Sequence, residues 1–151
     1  MHDVAQLIAE LPCSIFAVQL DKRHLPDHVG SEDMYRFTLS RLLELLDADL
    51  QRIDQPGMLL IDARSTLHSA VQDRRLLDAY CDWLASRSGH SRFLDLPWFG
   101  FSSFYDGLQL ADFSAYLIDF VSNEHQPGFE DSELQRAYRC FSHKVILARV
   151  P

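Results

Sequence analysis

Tyr105-Asp106-Gly107-Leu108-Gln109-Leu110-Ala111-Asp112-Phe113-Ser114-Ala115-Tyr116 reads as a loop breaking into a helix. Leu108, Ala111, Ala115 and Ile118 recur at helical spacing, and Asp112 sits among them. A carboxylate buried on such a face must be paired, hydrogen-bonded, protonated or bound to a cation, because burying it bare costs several kcal/mol. The other reading of Asp112 is a surface aspartate on the solvent side of the helix. The partner stretch is Met58-Leu59-Leu60-Ile61-Asp62-Ala63-Arg64, a short apolar run ending in an acid. Consecutive apolar residues predict a strand covered on both faces, with Asp62 at its carboxyl end. The two aspartates are expected to meet at one end of a sheet.

Working outward, the remaining elements alternate. Residues 4–11 form a helical pattern with Val4, Leu7, Ile8 and Leu11 on one face, closed by Pro12. Residues 13–20 read as an apolar strand, followed by the polar stretch Asp21-Lys22-Arg23-His24. Ser31 is a candidate N-cap for a helix to about Leu50, whose stripe is Tyr35, Leu39, Leu42, Leu43, Leu46 and Leu50. Ser65 caps a second long helix, to about Ser86, with Leu67, Val71, Leu77, Tyr80 and Leu84 inward. Residues 92–96 read as a short strand closed by Pro97, and residues 98–104 as an aromatic loop. The quoted helix spans 108–121, a fourth helix 132–141 and a terminal strand 144–150. This alternation predicts an α/β sheet with right-handed parallel crossovers in a single domain. Ligands in such sheets bind beyond the carboxyl ends of the strands, where Asp62 is expected.

The bulk composition narrows the classes. The chain has 151 residues, 47% hydrophobic and 24% charged, as in ordinary globular domains. No apolar run approaches the ~20 residues of a membrane span, so no membrane partner is expected. Met1-His2-Asp3-Val4 does not resemble a secretory signal. Cys13, Cys81 and Cys140 are scattered, which points to reduced thiols and a cytoplasmic setting. The net charge of -8 argues against a broad basic nucleic-acid surface. An acidic site that first binds a cation stays open, because the metal reverses the local field.

Other side chains admit two readings each. Asp106 and Gln109 fit a capping pair, in which Gln109 reaches back to the Asp106 amide; a substrate-side role for Gln109 is the alternative. Asp62 either closes a turn after its strand or ligates a cation. His68 is a proton shuttle or an exposed helix histidine. Lys22 and Arg23 meet phosphate or solvent. The aromatic loop stacks bases or packs over a sheet edge or subunit contact.

Phe101-Ser102-Ser103 followed by Gly107-Leu108-Gln109-Leu110-Ala111-Asp112 resembles the signature of the family catalogued as domain of unknown function 3800. Leu59-Leu60-Ile61-Asp62 resembles that family's central strand ending in aspartate, and Asp21-Lys22 its strand-end lysine. The resemblance covers about residues 14–118 and leaves the C-terminal helix and strand, 129–150, outside it. It implies a ribonuclease-H-like three-layer fold with a mixed sheet and a metal-dependent phosphodiesterase site. On this basis Asp62 and Asp112 are the catalytic and metal-ligating acids, for Mg²⁺ or Mn²⁺. Gln109, Lys22 and Ser103 are substrate-side or supporting residues. The family's first-strand Asp-Glu pair has no counterpart here, so the chain reads as an N-terminally truncated version. It is then either part of a longer enzyme or a domain that lost its chemistry.

The expected activities are nuclease action on nucleic acid or, less specifically, hydrolysis of small phosphorylated molecules. The rival expectation is a non-catalytic interaction module. An open sheet edge needs cover, which a homodimer or a second polypeptide would supply.

Overall fold

The computed structural model describes residues 1–21, 30–63, 69–123 and 132–150. Lys22, Arg23, Arg64, Ser65 and His68 fall outside these residues. The chain is mixed α and β, ordered α1 (His2–Glu10), β1 (Ile15–Leu20), α2 (Ser31–Arg52), β2 (Leu60–Asp62), α3 (Ser69–Ser86), β3 (Trp98–Gly100), α4 (Asp106–Asn123), α5 (Glu133–Phe141) and β4 (Val145–Val150). A 3-10 turn, Ser102–Phe104, joins β3 to α4.

The expected parallel pairing is present, but the strands form two separate two-stranded sheets, not one mixed sheet. β1 pairs with β4 from Ile15↔Val145 to Leu20↔Val150, and β2 pairs with β3 from Leu60↔Trp98 to Asp62↔Gly100. α4 lies against α5, β1 and β2. The third strand begins after Pro97, not before it. Residues 92–96 contribute only the bridge Gly57↔Phe93, and Leu94 and Leu96 stand exposed.

Two apolar clusters hold these elements. One joins α1, α4 and α5 through Ala5, Ile8, Leu117, Ala137 and Phe141, with Ile15 and Val145 packed against it. In α1 the buried side is therefore Ala5 and Ile8, while Val4 and Leu7 face outward. Lys144 closes this unit by donating from Nζ to the Ile8 carbonyl (3.0 Å) and the Leu11 carbonyl, placing a cation on the carbonyl end of α1. The other cluster joins α2 and α3 through Leu43, Tyr80 and Trp83, with Leu59 and Phe93 beside them. Leu76 and Ala79 complete the inner side of α3. Tyr80 and Trp83 each meet Phe93 with ring planes at 63°. Tyr80 Oη donates to the Asp95 carbonyl (3.1 Å), and burial pushes its phenol above the ordinary value.

α2 runs two residues past Leu50 and is capped by Gly30, with Ser31 as its first residue. Of its predicted stripe only Leu43 is fully withdrawn, and the other fully buried position is Asp47. Tyr35 remains 45% exposed.

Candidate functional site

At the carboxyl end of β2, Asp62 Oδ1 accepts the Ser102 amide N–H at 2.9 Å. From the other side, Gln109 Nε2 donates to the Ser102 carbonyl at 2.8 Å. One residue of the 3-10 turn is thus held by a carboxylate on its N–H and by an amide on its C=O. The two side chains come from β2 and the first turns of α4. This bracket fixes where α4 begins relative to β2.

The capping pair expected for Asp106 and Gln109 does not form. α4 opens on the Tyr105 carbonyl, which accepts the Leu108 and Gln109 amides (3.0 and 3.4 Å). Asp106 is already inside the first turn. Because the helix starts earlier, Gln109 reaches Ser102 instead of the Asp106 amide. Tyr105 lies over Gly100, the ladder partner of Asp62. A Cβ on Gly100 would stand 2.5 Å from Tyr105 Cε2, so this close approach requires glycine.

Asp112 lies one turn beyond Gln109, about 4.5 Å further along the axis. The face expected to bury it is displaced around the helix. Ser114, Leu117 and Ile118 face inward, with Leu110 and Phe113 against the core, while Ala111, Asp112 and Ala115 are exposed. The shift follows from where α5 and α1 sit: Leu117 and Phe113 dock onto them, which turns Asp112 outward. Asp62 and Ser103 are exposed too. Among the described residues, Asp112 has no hydrogen-bond or ion-pair partner and Asp62 has only Ser102. Also among the described residues, no three His, Cys, Asp or Glu side chains group to hold a metal. Two exposed carboxylates are too few for a two-metal pair.

The buried carboxylate among the described residues is Asp47, not Asp112. Its Oδ1 accepts from Ser91 Oγ (2.8 Å) and the Arg92 amide (2.7 Å). Its Oδ2 accepts from Gln51 Nε2 and Arg87 Nη2, both at 2.6 Å. Burial pushes this carboxyl up, but the Arg92 amide, the Ser91 hydroxyl, the Arg87 charge and the Gln51 amide outweigh it and hold it below the usual carboxylate range. Arg87 also stacks on Trp83, 4.7 Å from the ring centre. Its Nε is buried and has no acceptor among the described residues. The sequence carried the signal: Leu43, Asp47 and Gln51 follow at spacing four along the apolar stripe of α2.

A cleft of about 960 Å³, lined by Glu44, Gln51, Trp83, Arg87, His90 and Arg92, opens beside Asp47. It lies on the side from which β2 and β3 start, away from Asp62. Arg87 is already paired with Asp47, and Arg92 with Asp54 at 2.6 Å. Both guanidinium groups at this cleft are thus already paired with carboxylates of the chain, so the bracket at Ser102 is the better candidate. Comparison with family models, with curated proteins and with solved structures finds no match for this chain.

Proposed function

We propose that the chain is a metal-dependent phosphodiesterase domain of the ribonuclease-H-like kind, acting on nucleic acid with Asp62 and Asp112 as ligands of one Mg²⁺ or Mn²⁺. What supports the reading is the double hold on Ser102. It ties the carboxyl end of β2 to the start of α4, with Asp62 and Gln109 on the same residue and Asp112 one turn further along the helix. Asp62 and Asp112 would hold the ion, Gln109 would keep the Ser102 turn in place, and Ser103 would face the substrate. Lys22, outside the described residues, would meet phosphate. A bound divalent cation supplies a more acidic water and neutralises charge on a phosphoryl oxygen. With two carboxylates the ion keeps most of its waters, and affinity is weak. Calorimetric titration with Mg²⁺ or Mn²⁺ is expected to give weak saturable heat that Asp112→Ala abolishes. No heat from the unaltered chain removes the metal site.

A second reading is a non-catalytic interaction module, favoured by the exposed rings of Trp98, Phe101, Phe104 and Tyr105 around the same turn. Sedimentation of the chain alone would show self-association if a second copy covers them. Metal-dependent cleavage of oligonucleotides by the pure protein would rule this reading out.

A further inference from the structure

The stretch from Trp98 to Tyr105 carries four large exposed rings within eight residues. Phe101 and Phe104 meet edge-to-face, with ring centres 6.4 Å apart. Tyr105 lies over Gly100, with Leu60 on the same side, and Leu60 is the ladder partner of Trp98. Phe104 is 78% exposed and Trp98 57%. Large rings left in water at this density mark a docking surface.

Charge selects the occupant. Asp62, bonded to the Ser102 amide, and Asp106, next to Tyr105 in the chain, are exposed beside these rings, and Asp112 is exposed one turn beyond Gln109. The segments that carry these side chains, 60–62 and 98–112, contain no Lys, Arg or His. The chain as a whole carries -8. With no cation bound, a second copy would bring the same acidic surface and a nucleic acid would bring phosphates, and both meet repulsion. A cationic partner meets attraction from the carboxylates and from the ring faces, on which guanidinium groups stack.

We infer that the surface formed by Trp98, Phe101, Phe104 and Tyr105 with Asp62, Asp106 and Asp112 binds an arginine-rich polypeptide segment. The inference deepens the interaction-module reading and rests on it; it does not depend on the metal site. Arginine side chains lie across the rings and direct their N–H groups to the aspartates, which long flexible lysines do less well.

The test is fluorescence anisotropy of labelled octa-arginine with the full chain, in chelator and at ~0.15 M salt to screen long-range attraction. Saturable binding is expected, tighter than for octa-lysine, with no binding of octa-glutamate or of a single-stranded oligothymidylate. Trp98→Ser and Phe104→Ser leave the charge unchanged and alter exposed positions, so folding persists; each is expected to weaken binding about fivefold. Equal affinity in both variants would mean that net charge alone attracts the peptide, and overturns the proposal. Oligothymidylate binding as tight as that of octa-arginine also overturns it and returns the rings to a nucleic-acid role. Absence of peptide binding in a chain that still self-associates removes this partner class while leaving the interaction reading in place.

Discussion

On the side from which β2 and β3 start, Asp47 is fully withdrawn from water and accepts four hydrogen bonds, one from α2 and three from the segment that follows α3. At the carboxyl end of the same pair, Asp62 stands exposed with one hydrogen bond to Ser102, and Asp112 is exposed one turn into α4 beyond Gln109. The chemical type is the same and the surroundings are opposite. Where a carboxylate is saturated by donors it is a structural joint, because each lone pair already has a partner and nothing is left for a ligand. Where it is left open to water it destabilises little and remains free to take a cation or a basic partner. Burial thus separates the aspartate that builds the molecule from those that can act for it.

Removing the joint should produce the largest effect. Asp47→Ala strands Arg87 and the Arg92 amide without their acceptor, and a loss of about 3–5 kcal/mol is expected in urea unfolding. The same joint should be acid-sensitive. Its folded carboxyl lies below the ordinary value, so its contribution is complete above about pH 4 and is lost as pH falls through the lowered value. The stability gap between the unaltered chain and Asp47→Asn should therefore narrow between neutral and strongly acidic pH. If the gap holds constant, Asp47 is not the charged hub.

At the open end the effects should be smaller. Gly100→Ala forces the Tyr105 ring aside, and about 1–3 kcal/mol is expected, with a change in tyrosine near-ultraviolet dichroism. Asp62→Ala and Gln109→Ala should each lose about 1 kcal/mol. Because both act on Ser102, their double variant should fall short of the sum in a double-mutant cycle. Asp112→Ala should change stability by less than about 0.5 kcal/mol. A loss at Asp112 as large as at Asp47 would erase the distinction between the two ends.

Much of the element order was legible. The apolar runs around Val18 and Ile61, the long stripe of α2 and the start of α5 at Ser132 are local patterns, and Ser132 does accept the Gln135 amide at 3.2 Å. The strand expected at residues 92–96 was misplaced across Pro97. An apolar run of that length does not say where a neighbouring strand will offer its carbonyls, and the Leu59 carbonyl accepts the Trp98 amide at 2.8 Å. The candidate site was legible in part. Asp62 and Gln109 both bind Ser102, through its N–H and its C=O, a backbone meeting point that no side-chain motif announces and that does not involve Asp112, the acid expected beside Asp62.

By itself, the order of residues determined that helices and parallel strands would alternate, that Asp62 would end a strand, and that an acid on an apolar stripe would need partners. Which acid that would be was decided only in three dimensions. Helical spacing places Asp47 and Asp112 alike among apolar neighbours, and only the packing of α4 on α5 and α1, and of α2 on α3, turns one out to water and the other in. Rotation of a helix about its own axis is set by what it packs against, and that is a property of distant segments, not of the helix itself.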